Sequence, residues 1–218
     1  MLPVQEGYAA WSGSYEDTVL DLMDLHLLDR LRSIAWKDVR RAADLACGTG
    51  RCGEWLRGKG VSHIDGIDLT PEMLEYARKR NIYDHLVLGD VSDSPFESSA
   101  YDLVTESLCD EHLVTLAPLY SEVSRLLAPG GTFVIVGYHW HFLMHGIITH
   151  FEHASGDQVA IENHIHLTSD HVRAASTAGL CLVEMEEGLV DEAWIAAKPK
   201  WSVHRNQPVS FAMVWRKL

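Results

Sequence analysis

Three aspartates stand at or near the ends of three successive short apolar runs, and the first run empties into a glycine loop. The runs cover residues 42–46, 63–67 and 85–88; the acids are Asp44, Asp68 and Asp90; the loop is Cys47-Gly48-Thr49-Gly50. Helical patterns separate the runs, and two further runs at 101–105 and 132–136 continue the alternation. That order is the one produced by parallel strands joined through helical crossovers, so five parallel strands are expected. Thr70-Pro71-Glu72 reads as an N-cap followed by proline at the first helical position. Leu116, Leu119, Val123, Leu126 and Leu127 mark a helix that Pro129-Gly130-Gly131 stops.

Outside this block the pattern is less regular. Val19, Leu20, Met23, Leu27 and Leu31 recur at helical spacing with Asp17, Asp21 and Asp24 on another face, which predicts one amphipathic helix lying across the body. After residue 138 come a stretch rich in histidine and aromatics (139–158), an expected strand at 159–167, a helix at 168–178 and strands at 180–185 and 209–215. The connection between the last two holds Trp194, Lys198 and Trp201, and connections of that length more often carry function than nothing. No repeat and no linker divides the 218 residues, so one domain with an N-terminal arm is expected.

Composition removes several classes of function. A net charge of −13 presents a repulsive average field to nucleic-acid phosphates, so no nucleic-acid partner is expected. No apolar run approaches the roughly 20 residues of a membrane span, and MLPVQEGYAAWSG lacks the basic start and apolar centre of a signal peptide. A cytoplasmic protein without membrane association is the expectation. Cys47, Cys52, Cys109 and Cys181 form no CxxC pair, which argues against a zinc ribbon and a disulfide framework.

The glycine loop lies where the first strand runs into the first helix, a place where backbone approaches a nucleotide-like ligand. Gly48, Gly50 and Gly53 also satisfy GxGxxG, the pyrophosphate loop of NAD(P)-dependent oxidoreductases, which is a weak signal alone. Asp44, four residues ahead of Gly48, argues instead for a ligand carrying an ammonium or sulfonium. Asp68, 20 residues beyond Gly48, stands where a carboxylate accepts both ribose hydroxyl protons. Asp90 is placed to accept from an exocyclic amine of adenine while the Val91 backbone meets a ring nitrogen.

On these residues the chain resembles the class I S-adenosylmethionine-dependent methyltransferases of the broad small-molecule group, over about residues 8–187. Asp44, Ala46, Gly48 and Gly50 match the first motif, Asp68 the ribose acid and Asp90 the adenine-side acid. Tyr101-Asp102-Leu103-Val104, Ser107-Leu108, Glu111-His112-Leu113 and the Pro129-Gly130-Gly131 turn resemble the family's fourth strand, its trailing Glu-His and the entry to its fifth strand. Tyr8, Trp11 and Tyr15 resemble the arm that closes over the methionine end of the cofactor. His166-Leu167-Thr168-Ser169-Asp170 resembles the segment entering the late helix.

The resemblance implies an α/β fold with a Rossmann-like, doubly wound, seven-stranded and mostly parallel sheet whose last strand is antiparallel. It implies an arm over 1–35 that closes on the cofactor and a domain over 36–218 with insertions at 139–158 and 188–207. The cofactor would be S-adenosyl-L-methionine, held by Trp11, Tyr15, Asp44, Ala46, Gly48, Gly50, Asp68, Leu69, Asp90, Val91 and Ser107. The reaction would move a methyl group by in-line displacement to oxygen or nitrogen of a small-molecule or peptide acceptor. A non-catalytic partner subunit that keeps the fold and pocket is the third reading, beside the oxidoreductase.

Histidines are the candidates for a proton acceptor. His112 serves either as a base or as a structural partner of a backbone carbonyl; His139 and His141 follow the fifth strand on the edge where ligands enter. His164 and His166 share one face of the expected strand, which can begin a metal site, yet no spacing requires completion and no metal is expected. Trp194 and Trp201 either line an acceptor pocket or bury.

Overall fold

The computed structural model describes every residue except Ala154, which falls inside the 139–158 stretch. The arm holds helices α1 (Val4–Trp11), α2 (Tyr15–Thr18) and α3 (Leu25–Arg30). The body alternates β1 (Arg41–Leu45), α4 (Arg51–Gly58), β2 (His63–Asp68), α5 (Pro71–Arg80), β3 (His85–Leu88), β4 (Tyr101–Ser107), α6 (Ala117–Leu126) and β5 (Leu127–Tyr138). There follow α7 (Trp140–Met144), a hairpin of β6 (His150–Glu152) and β7 (Gln158–Ala160), α8 (Thr168–Thr177), β8 (Leu180–Leu189), α9 (Glu192–Ala197) and β9 (Pro208–Lys217).

Seven of these strands form one sheet in the order β3-β2-β1-β4-β5-β9-β8. Strands β1 to β5 are parallel, and β9 runs antiparallel to both β5 and β8, as the expected fold requires. Side chains alternate faces along each central strand. Phe133, Ile135, Phe211, Met213 and Trp215 pack with Leu119, Tyr120 and Val123 of α6 on one face. Val134, Val136, Ala212 and Val214 pack with Leu27 and Leu28 of α3 and Leu56 of α4 on the other. Burial on both faces explains why these strands read as continuous apolar runs. Each large side chain buried this way contributes about 1.5–3 kcal/mol. Among the described residues no helix is long and apolar enough to cross a membrane.

The chain winds outward from β1 to β3 and then returns to place β4 on the other side of β1. The crevice at the carboxyl ends of β1 and β4 is therefore the switch point where open α/β sheets take ligands.

Two expectations are corrected. The single helix through residues 19–31 is broken, because Asp24 is buried and turns to pair with Arg51 at 2.9 Å, accepting also from the Leu25 N–H to cap α3. The expected strand at 159–167 ends almost as it begins: only residues up to Ala160 pair with β6, and Ile161 bridges to Leu2. Beyond it the backbone serves other partners, with the His164 N–H donating to the Glu111 carbonyl and the Glu162 carbonyl accepting from His112. His164 and His166 thus share no strand face; the His166 ring donates to the Leu113 carbonyl at 2.7 Å.

Candidate active site

A cavity of about 300 Å³ opens at the switch point. Ala46 and Gly48 after β1, Asp68 and Leu69 at the end of β2, Asp90 and Val91 after β3, and Ser107 at the end of β4 line it, with Tyr15 supplied by the arm. Eight of the expected cofactor residues are therefore brought together. Gly48 has φ +54, a left-handed backbone that suits glycine. Ala46 (φ +54) and Leu108 (φ +59) adopt the same region without that freedom, just past the ends of β1 and β4. Strain of this kind, about 1–3 kcal/mol per residue, concentrates at ligand sites.

The Asp68 carboxylate is fixed by its backbone. Its Oδ2 accepts from the Gly48 N–H and its Oδ1 from the Thr70 N–H, both at 2.8 Å. Burial raises its pKa while these N–H groups pull it back down. One oxygen of Asp90 accepts from the N–H and hydroxyl of Ser92. The hydroxyl of Ser107 is buried and has no partner among the described residues, leaving a polar atom for a ligand to satisfy.

Three expected residues stand elsewhere. Asp44 is buried beside the cavity rather than on its wall, accepting from the Tyr83 hydroxyl at 2.7 Å and the Thr105 hydroxyl at 2.8 Å. Burial pushes its pKa up to about 6 despite both donors. Its carboxylate thus faces protein hydroxyls. Gly50, at φ +90, caps α4 and packs against Arg80 and Tyr83. Trp11 faces a second cavity.

That second cavity, about 550 Å³, adjoins the first through Tyr8, Tyr15 and Leu108, which line both. Its volume lies in the range of small-molecule sites. It is the space left between two apolar clusters that do not merge, one around Trp11 and Phe151, the other around Tyr138, Phe142 and Trp194. The 188–207 connection closes it with Trp194, Lys198 and Trp201.

Glu111 lines this cavity from the turn after β4 and is 2% exposed. Thr149 donates to its Oε1 at 3.0 Å, while Oε2 is buried and unpartnered among the described residues. Burial, and Asp110 beside it, push its pKa up to about 8. Sequence reasoning left Glu111 as the companion of His112. The available signal was its position, an acid just past the strand that ends at the switch point.

His112 borders the first cavity, but both its nitrogens are engaged. Nδ1 lies 2.6 Å from the Glu162 carbonyl, which only accepts, so Nδ1 carries the proton. Burial pushes the ring pKa down, and the neutral Nε2 accepts from the Tyr8 hydroxyl at 2.9 Å. His112 thus ties α1 to the body. His139 and His141 line neither cavity: His139 contacts Glu187 at 3.0 Å and accepts from the His141 N–H, and His141 reaches Gln207. Among the described residues no three His, Cys, Asp or Glu side chains are grouped to hold a metal ion.

A parallel sheet with an antiparallel β9, a glycine loop after β1 and acids at two neighbouring strand ends define a nucleotide-binding α/β domain. Residues 43–135 match the family model described as a methyltransferase domain. A methyltransferase-domain match thus lies over residues 43–135, and the fold is the Rossmann-like fold of solved S-adenosylmethionine-dependent methyltransferases. It is 33% identical over 91 residues to a malonyl-acyl carrier protein O-methyltransferase of Enterobacter lignolyticus, covering 42% of this chain and 36% of that protein. It is 30% identical over 106 residues to a chloroplastic tocopherol O-methyltransferase of Arabidopsis thaliana, covering 46% and 30%. The chain spans about a third of the length of these relatives. The crystal structure of an S-adenosylmethionine-dependent methyltransferase from Mesorhizobium loti superposes with a TM-score of 0.70 at 21% identity, covering 92% of this chain and 99% of that one.

Proposed function

We propose that this chain is an S-adenosylmethionine-dependent methyltransferase whose acceptor is a small molecule presenting a hydroxyl or amine. The observation that carries the reading is the joining of two cavities at one wall of Tyr8, Tyr15 and Leu108. One cavity has strand-end carboxylates and an unpartnered serine hydroxyl; the other is mostly apolar and holds an unpartnered glutamate oxygen. Two relatives are O-methyltransferases by name, which supports an oxygen acceptor, and another is a sterol 24-C-methyltransferase.

The first cavity fits the donor. Asp68 and Asp90 would hold its sugar and base, with Gly48, Ser107 and Tyr15 at the remaining polar end. When bound, the donor supplies an electrophilic methyl group. The chain's own work is positioning and proton removal. Tyr8 and Tyr15 of the 1–35 arm cover the junction and exclude water. Glu111 takes the acceptor's proton on the cavity side, and His112 holds α1 in place through Tyr8.

Thermal melts and labelled turnover test this reading. S-adenosylhomocysteine raises the melting temperature of the protein while NAD leaves it unchanged, and a methyl label passes from S-adenosylmethionine to a component of a small-molecule extract. A melt indifferent to S-adenosylhomocysteine, or stabilised by NAD instead, refutes the assignment; binding without any turnover makes the chain a non-catalytic partner.

A further inference from the structure

The wall of the larger cavity carries one buried donor without a partner and, beside it, a half-buried ammonium with protons to spare. Trp194 and Lys198, four residues apart in and just after α9, both line it, and the Lys198 N–H donates to the Trp194 carbonyl. That spacing sets the two side chains on one side of the helical turn. The Trp194 indole N–H is buried and unpartnered among the described residues. Lys198 is half-buried, forms no ion pair among the described residues, and spends one of its three protons on the Thr18 carbonyl at 2.9 Å. A buried donor left unpaired costs about 1–3 kcal/mol, which a ligand oxygen would remove. Much of the remaining wall is aromatic and aliphatic, with Trp11, Phe151 and Trp201 among it, and its charged members are Asp17, Glu111, Glu152 and Lys200.

We infer that Trp194 and Lys198 form an oxyanion subsite, so that the acceptor is an apolar, ring-bearing molecule carrying a carboxylate or phosphate at the end away from the methyl-accepting group. This rests on the methyltransferase reading. It also sets a polarity within the cavity: the anion sits against the 188–207 connection, and the hydroxyl or amine lies toward Glu111 and the junction with the donor cavity.

The test is a titration of the protein saturated with S-adenosylhomocysteine, followed by calorimetry. The probes share one frame: 2-naphthoate, 2-naphthyl phosphate, uncharged 2-naphthol and 2-naphthylmethylammonium. One of the two anions binds at least about tenfold tighter than 2-naphthol, and which one identifies the headgroup. Lys198→Met removes that preference while leaving the 2-naphthol dissociation constant within about twofold, and Lys198→Arg retains it. Trp194→Phe, which keeps the ring body, reduces the preference several-fold. Equal binding of anion and naphthol, tighter binding of the ammonium, a preference that survives Lys198→Met, or no binding by any probe overturns the inference. Failure of S-adenosylhomocysteine itself to bind overturns the methyltransferase reading as well, and is recorded separately before any probe is added.

Discussion

The hydroxyl of Tyr83 donates to Asp44 Oδ2 at 2.7 Å across 39 positions of sequence, and this bond turns the motif's first acid toward the protein. Tyr83 itself rests in a recess made by two glycines: a Cβ at either Gly53 or Gly66 would overlap its ring or hydroxyl. The first motif therefore works in part as a packing unit that seats the loop bearing Gly48. Tyr83→Phe removes one of the two hydroxyl donors to a buried carboxylate, at a cost of about 1–3 kcal/mol. For a chain of this size the melting temperature falls by roughly 2–12 °C. Because Asp44 is not on the cavity wall, affinity for S-adenosylhomocysteine stays within about threefold. A tenfold loss of affinity with an unchanged melt would show that Asp44 acts on the ligand.

The two cavity aspartates should separate by degree. Asp68 holds the Gly48 and Thr70 N–H groups as well as facing the cavity, whereas Asp90 holds Ser92 alone. Asp68→Ala thus releases the glycine loop and loses a charged acceptor, and weakens S-adenosylhomocysteine binding by roughly a hundredfold or more. Asp90→Ala weakens it by roughly tenfold. Calorimetry on both variants checks the ranking, and equal losses would count against the loop-fixing role of Asp68.

What the sequence made legible was what local pattern and burial dictate. β5 and β9 are buried on both faces, and their apolar runs announced them; the loop between β1 and α4 was announced by glycines that a left-handed backbone needs. What it hid were choices made by distant partners. Whether the carboxylate of Asp44 faces a ligand or a neighbour is decided by Tyr83 and Thr105, and neither lies in the motif. The periodicity through residues 19–31 is real, yet Asp24 breaks the helix because Arg51 offers it a buried ion pair. Their place just past the fifth strand makes His139 and His141 candidates, while Glu111 becomes visible only when the space around its oxygens is known.

The bond between Tyr8 and His112 fixes the arm at the junction of the cavities. Tyr8 also lies T-shaped against the His112 ring, with centroids 5.2 Å apart. Tyr8→Phe keeps this packing and deletes the hydrogen bond, so α1 is held less firmly before ligand arrives. Stability falls by about 1 kcal/mol, and part of the donor's binding free energy then goes into ordering the arm, which weakens S-adenosylhomocysteine roughly fivefold. Hydrogen exchange over residues 4–11 should quicken in the variant and slow again on saturation. Unchanged exchange there would mean that the arm is anchored elsewhere.

Glu111 supplies a pH signature that runs in opposite senses for stability and for rate. Its pKa is about 8 in the folded chain against an ordinary 4.5, so the folded state keeps a proton that the unfolded state gives up. Its contribution to stability is therefore fully present below about pH 4.5 and is lost as pH rises through about 8. Rate behaves conversely, since only the carboxylate accepts a proton: turnover rises with a midpoint near pH 8. Glu111→Gln stays uncharged, so its melting temperature declines less between pH 6 and pH 9 than that of the parent chain. The same variant loses about 10²–10⁴-fold in turnover, together with the rising limb of the profile. Melts across that range need no acceptor and can be measured first; an identical decline in parent and variant would place the shifted proton on another group, and Glu111 would then no longer qualify as the base.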